Sequence, residues 1–167
     1  MKKIICVMIL AMTSFGVAST EMQQEGSWYY KKQENKMTDK TDIFASTSTK
    51  DVYTRQGLER YVSIVMRCKE NKTDAYISLY DYLGSGDPQI TIRFDDGKPV
   101  KSRWTSAEGG DAAFAPNAVL FIKDLAKHKK VIIGFEPYGS TMQAVEFDLT
   151  GADKMAAQIA EACSWKI

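Results

Sequence analysis

Residues 61–79 carry the pattern that most restricts the fold of this chain, because two alternating apolar runs flank a polar turn. Side chains of a β-strand point alternately to its two faces, so this alternation is typical of strands with one buried face. The inward positions are Val62, Ile64, Met66, Cys68, Ala75, Ile77 and Leu79. Segment 69–74 is charged and has the composition of a turn. We therefore predict a β-hairpin with Cys68 in the core.

The first eighteen residues have the pattern of an export signal. Lys2 and Lys3 precede an apolar run at 4–12, and small residues lead to Ala18, after which we expect cleavage. The run is shorter than the roughly 20 residues of a membrane-spanning helix, so we expect no stable anchor after cleavage, a retained anchor being the alternative. This predicts a periplasmic protein, with secretion into the medium as the second possibility.

The remaining chain has the size and charge of an ordinary globular domain. With 167 residues, 44% of them hydrophobic and 26% charged, we expect a flexible lead-in at 19–26 and one domain at 27–167. Removal of residues 1–18 takes away two lysines, which leaves 20 basic against 21 acidic residues and changes the net charge from +1 to −1. This balance supplies no basic footprint for nucleic acid.

The cysteine count predicts one disulfide. Cys6 leaves with the signal, so Cys68 and Cys163 remain as an even pair in an exported chain, where oxidising conditions favour a bridge. Two free buried thiols are the alternative.

Hydrophobic periodicity predicts eight strands and two helices. Besides the hairpin of 61–79, we expect strands at 27–32, 43–49, 90–94, 98–106, 131–136 and 142–149. Segments 33–42, 50–57 and 107–115 are rich in polar and turn-forming residues and are expected to be turns or loops. Pro99 favours an edge position for the strand that follows it.

Helices are predicted at 116–128 and 151–164. In the second, Met155, Ile159 and Cys163 recur at every fourth residue and form one apolar stripe. The order of elements predicts an α+β fold, a mostly antiparallel sheet or sandwich of about eight strands with one helix before the last hairpin and one at the C-terminus. Cys68 and Cys163 can then meet in one core.

Catalytic and metal-binding patterns are weak. His128 is the only histidine, at a helix end next to lysines, where we expect a solvated side chain. Two distant cysteines and one histidine lack the spacing of a zinc site. Asp95 and Asp96 are consecutive and precede a turn, so we interpret them as solvated carboxylates and not as an acid pair. We predict no catalytic residue, no metal and no cofactor.

Arginine and aromatic residues on outward strand faces are the candidate recognition site. Such side chains are frequent in protein-binding hot spots. The candidate residues are Arg67, Tyr76, Arg93, Arg103 and Trp104. An ordinary solvated sheet face, with the arginine stems packed along it, is the alternative.

Several short segments, taken in order, resemble the VasI/TagO family of exported proteins associated with type VI secretion. They are Val65-Met66-Arg67-Cys68, Asn71-Lys72-Thr73-Asp74, Ile92-Arg93-Phe94-Asp95, Arg103-Trp104-Thr105-Ser106, Phe147-Asp148-Leu149-Thr150-Gly151 and Ala162-Cys163-Ser164-Trp165. The resemblance spans residues 28–165. One departure is segment 35–39, where only Met37 and Asp39 remain of a Ser-Pro-Met-Asp-Asp-like stretch.

The resemblance implies a periplasmic accessory protein of the secretion apparatus, with no catalytic residue to carry over. We therefore predict a non-enzymatic protein-binding domain. One alternative is an inhibitor or immunity-type protein that blocks an envelope enzyme, and another is a hydrolase that acts on the cell wall. For the protein-binding domain the partner is a component of the secretion apparatus, and for the inhibitor it is the envelope enzyme, so both predict a protein partner.

Overall fold

A computed structural model describes residues 21–38, 40–50 and 52–167, and the predicted signal at 1–18 lies outside the described residues. The described chain forms thirteen strands and two helices. In chain order they are β1 (Gln23–Glu25), β2 (Trp28–Asn35), β3 (Lys40–Ser48), β4 (Tyr53–Arg55), β5 (Leu58–Arg60), β6 (Ser63–Lys69), β7 (Lys72–Ser78), β8 (Gln89–Phe94), β9 (Val100–Arg103), β10 (Thr105–Ser106), β11 (Ala112–Phe114), α1 (Ala118–Lys127), β12 (Lys130–Phe135), β13 (Gln143–Asp148) and α2 (Ala152–Ala162).

These strands form two main sheets and one small ribbon. The larger sheet has seven strands in the order β1-β2-β3-β6-β7-β11-β10, and the smaller has four in the order β13-β12-β8-β9. Strands β4 and β5 pair with each other alone. Every strand pairing among the described residues is antiparallel. The predicted α+β class with a mostly antiparallel, sandwich-like arrangement is therefore confirmed.

The central hairpin is confirmed and is tighter than the sequence indicates. Strands β6 and β7 pair from Ser63 with Ser78 to Lys69 with Lys72. Only Glu70 and Asn71 separate them, and both have positive φ, 51° and 64°. Two central residues with positive φ give a turn whose twist matches the strands it joins. The strands therefore extend through most of the predicted turn at 69–74.

Both helices cover the inward face of the larger sheet. Helix α1 begins after Asn117, whose side chain accepts a hydrogen bond from the Leu120 amide at 2.9 Å and satisfies one free donor of the first turn. Helix α1 packs against β7 and α2, while α2 packs against β3 and β6. Buried side chains from both sheets and both helices form one core cluster, which includes Trp28, Met66 and Ile159.

Several segments expected to be irregular contain short strands. The predicted lead-in contains β1, and the predicted loops at 50–57 and 107–115 contain β4 and β11. Segment 33–35 continues β2, and Lys40 already begins β3, so the turn between them is shorter than the predicted one. The predicted strand at 98–106 is divided, because β9 pairs with β8 in one sheet and β10 with β11 in the other.

Candidate functional site

The predicted disulfide is present. Cys68 near the end of β6 bonds to Cys163 at the end of α2, with their Cα atoms 5.7 Å apart. Cys68 lies on the inward face because β6 alternates, and Cys163 lies on the stripe of Met155 and Ile159. The bridge therefore fixes α2 on the sheet directly behind Arg67.

Arg67 lies on the opposite face of β6, within a patch of aromatic and charged side chains. The strand register places Phe44 and Asp74 beside Arg67, and Val65 and Phe114 beside Tyr76. We call this patch the Arg67 face, defined by Phe44, Val65, Arg67, Asp74, Tyr76 and Phe114. It combines an aromatic surface with one arginine.

Two neighbours hold the Arg67 guanidinium in place. Its Nε and Nη2 donate hydrogen bonds of 3.0 and 2.9 Å to Oδ2 of Asp74. Its central carbon lies 5.6 Å from the centre of the Tyr76 ring, within range of a cation–π contact. The Arg67 side chain nevertheless stays 33% exposed, against 13% for Asp74. A pre-oriented and partly exposed guanidinium can bind a further acceptor at a low cost in side-chain entropy.

The aromatic part of the Arg67 face is packed across two strands. The rings of Tyr76 and Phe114 lie 4.8 Å apart, centre to centre. Burial raises the pKa of Tyr76, whose hydroxyl can donate a hydrogen bond. A surface of this kind suits an acidic or aromatic protein segment, since arginine and tyrosine contribute strongly to such contacts.

The structure does not bring all five predicted recognition residues together. Arg93 and Arg103 lie on β8 and β9 of the other sheet, and Nε of Arg93 donates to the carbonyl of Gly97 at 3.0 Å. Trp104 is only 2% exposed, so it belongs to the core and is corrected from a surface to a structural residue. Trp104 lies between β9 and β10 and continues the alternation of β9, so its side chain points inward where that of exposed Arg103 points outward. Among these five described residues, the one side-chain contact is that of Arg67 with Tyr76.

His128 is not simply solvated as predicted, because it pairs with Asp95. The sequence pattern does not indicate this pair. Its Nδ1 lies 2.8 Å from Oδ2 of Asp95, and its ring stacks on Phe94 with 4.7 Å between centres. Asp95 also accepts the amides of Lys129 and Lys130. These contacts, with the His128 hydrogen bond the largest, lower the pKa of Asp95. The pair joins the end of β8 to the end of α1, a contact between positions 33 residues apart.

Four carboxylates border a shallow cavity of about 380 Å³, which is relevant to the hydrolase alternative; they are Asp95, Asp96, Glu146 and Asp148. Hydrogen bonds from the Thr150 hydroxyl and amide, and from Ser27, lower the pKa of Asp148. A general acid needs a raised pKa, whereas the pKa values of Asp95 and Asp148 are both lowered. Among the residues that the structure describes, no group of three or more histidines, cysteines or carboxylates is arranged to hold a metal.

The fold and its bridge define the class of protein, which is a disulfide-linked α+β domain of two antiparallel sheets whose core includes two helices. The chain belongs to the family described as type VI secretion system VasI, EvfG, since the family model matches residues 12–165. This match confirms the family resemblance of the sequence. Among curated proteins there is no significant match.

A solved structure shares the fold. The crystal structure of invasion associated protein B from Bartonella henselae is similar, with a TM-score of 0.56 and 12% sequence identity. The likeness covers 84% of this chain and 95% of that chain. At this identity it concerns the fold alone. Neither helix of the described chain is long and apolar enough to cross a membrane.

Proposed function

We propose that this protein is a periplasmic, non-enzymatic accessory protein of type VI secretion that binds a protein partner through the Arg67 face. The observation that carries the proposal is the state of Arg67, held by Asp74 and Tyr76 yet one-third exposed. Membership of the secretion-associated family supports a role in type VI secretion. The partner segment would present a carboxylate to Arg67 and an aromatic or apolar side chain to Tyr76 and Phe114.

Two features support the periplasmic location. The signal pattern ends near Ala18, and the bridge between Cys68 and Cys163 persists in oxidising compartments. Mass analysis of the protein from a periplasmic extract should give a chain that begins at residue 19 with both cysteines linked. An uncleaved chain in the cytoplasm with alkylatable thiols would contradict the location.

The binding proposal is tested by crosslinking and affinity capture from periplasm of a strain with an active type VI secretion system. Wild-type protein should retain a component of the secretion apparatus, and Arg67→Ala should retain at least tenfold less of it. Arg67→Lys should not restore retention, because an ammonium cannot reproduce the planar guanidinium on Tyr76. Arg93→Ala is the matched control, an arginine on the other sheet, and should bind as wild type does.

Two outcomes would overturn the proposal. Capture of one envelope enzyme at a stoichiometric ratio, with inhibition of that enzyme, would favour the inhibitor alternative. Equal retention by Arg67→Ala and wild type would remove the Arg67 face as the binding site.

A further inference from the structure

An apolar groove lies on the other side of the molecule, where α1 meets β8 and β9. Its volume is about 470 Å³, within the range of roughly 300–1,000 Å³ typical of ligand pockets. The large apolar side chains that line it are those of Ile92, Phe94, Val100, Trp104, Leu120 and Phe121. Val100 and Leu120 are 65% and 54% exposed, so the groove opens to solvent through an apolar mouth. The lining also includes one basic and one acidic residue, Lys98 and Asp124, whose formal charges cancel.

Strand β9 forms one wall of the groove and is an edge of its sheet, as Pro99 predicts. Among the described residues its only strand partner is β8, so one side of its backbone lacks a neighbouring strand. Unpaired strand backbone accepts an extended segment of another chain as a further strand. The groove therefore adjoins a backbone able to hold a peptide in register.

The two faces of β9 differ in chemistry. Val100 and Ser102 border the groove, so Lys101 and Arg103 point to the opposite face, where both are exposed. Neither basic side chain takes part in an ion pair within residues 21–38, 40–50 and 52–167. An added strand would place alternate side chains beside the apolar groove and beside these two cations.

We propose that β9 and the groove bind an extended segment of a partner protein in which apolar or aromatic residues alternate with acidic ones. The apolar side chains enter the groove between β8 and α1, beside Trp104 and Leu120. The acidic side chains pair with Lys101 and Arg103 on the other face. This site lies in the sheet that does not carry Arg67, so it is a second binding surface, independent of the Arg67 face.

Two simpler explanations account for less of this geometry. Charged residues and proline commonly protect edge strands from aggregation, which would explain Pro99, Lys101 and Arg103. Protection does not explain why Val100 on the same strand is exposed beside an open apolar groove. A second copy of this chain paired through β9 would set Lys101 and Arg103 against their own copies, and like charges across strands are unfavourable.

The test uses the exported chain with its disulfide formed and a heptapeptide that alternates glutamate with phenylalanine or valine (Glu-Phe-Glu-Val-Glu-Phe-Glu). Binding is measured by calorimetry and mapped by amide chemical shifts. Shift changes should concentrate on residues 98–104 and 117–124. A peptide with lysine in place of glutamate, and one with the same residues in separate acidic and apolar blocks, should each bind at least tenfold more weakly.

Variants at exposed positions separate binding from folding. The double variant Lys101→Glu and Arg103→Glu should weaken the peptide about tenfold, and Leu120→Ser should weaken it several-fold, with unchanged thermal unfolding. The matched control is Lys36→Glu with Lys40→Glu, the same charge change at exposed positions of the hairpin formed by β2 and β3 in the other sheet. Arg67→Ala should bind the peptide normally, which keeps this site distinct from the proposed function.

Three results would overturn the inference. They are no peptide binding at millimolar concentration, equal binding of the glutamate and lysine peptides, and shift changes that fall outside β9 and α1. Binding of an apolar dye in the groove without peptide binding would replace the proposed segment with a small apolar ligand. A concentration-dependent dimer abolished by the β9 variants would replace it with a second copy.

Discussion

Cys68 and Cys163 join the middle of the larger sheet to the C-terminal end of α2, across 95 positions of sequence and with 5.7 Å between their Cα atoms. Cys68 lies on the inward face of β6, and Val65 and Arg67 lie on its outward face. The bridge therefore anchors the strand that presents Arg67. A loop of this length loses much conformational freedom in the unfolded chain when it is closed. The bridge therefore stabilises the fold and the candidate site together.

Loss of this bridge should destabilise the protein by about 2–4 kcal/mol, the usual range for a native disulfide. The variant is Cys68→Ala with Cys163→Ala, and the free energy of unfolding is measured by urea denaturation. Reduced wild-type protein is the control and should lose a similar amount. An unchanged urea midpoint in both samples would contradict a stabilising role for the bridge.

Trp104 and Arg103 should respond to substitution in opposite ways, although they are adjacent. Trp104 is buried, its ring meets Phe121 edge-on at 5.1 Å, and its Nε1 donates to Oγ of Ser102. Trp104→Ala should cost about 3–5 kcal/mol of unfolding free energy, because it leaves a cavity in the core. Arg103→Ala, at an exposed position, should stay within about 0.5 kcal/mol. Similar costs for the two variants would contradict the assignment of Trp104 to the core.

Sequence periodicity predicted the parts of the fold where alternation is long. The hairpin of β6 and β7, the two helices and the bridged faces follow from repeats of two and about four residues. Strands β1, β4, β5, β10 and β11 have only two or three residues each, too few for a repeat. Each forms because a neighbouring strand or turn supplies its partner, which is information from tertiary structure.

The candidate site was predictable only where its members lie on neighbouring strands. Arg67 and Tyr76 fall on the outward faces of one hairpin, so their contact follows from its register. The separation of Arg93 and Arg103 into another sheet depends on how the chain crosses between sheets. The pairing of His128 with Asp95 likewise depends on where α1 ends relative to β8, and residue spacing carries no signal for it.

Asp148 should make stability depend on pH in the acid range. It accepts hydrogen bonds from Thr150 Oγ1 and amide at 2.7 and 2.9 Å and from Ser27 Oγ at 2.9 Å, and these lower its pKa. A lowered pKa in the folded state means that the ionised form stabilises the fold above the unfolded pKa, about 3.9. That stabilisation is lost as the pH falls through the lower folded pKa.

The measurement compares Asp148→Asn with wild type by thermal unfolding from pH 7 to pH 2. The variant should be less stable by about 1 kcal/mol near neutrality, a modest figure because the site is exposed. The difference should shrink progressively as the pH falls below the unfolded pKa of about 3.9. Glu146→Gln on the same strand controls for the loss of one negative charge and should show a smaller difference. A stability difference between Asp148→Asn and wild type that does not change with pH would contradict the lowered pKa of Asp148 in the folded state.

Gly151 should tolerate alanine far less than Gly139 does, although both have positive φ, 90° and 67°. A Cβ on Gly139 would meet nothing within 4 Å, so Gly139→Ala should cost only the backbone penalty, about 1–2 kcal/mol. A Cβ on Gly151 would lie 2.5 Å from the carbonyl oxygen of Glu25, so Gly151→Ala must also move β1 away from the start of α2. Urea denaturation of both variants should show the larger loss for Gly151→Ala, and hydrogen exchange should increase at residues 23–28. Equal costs would mean that β1 does not pack closely against this turn.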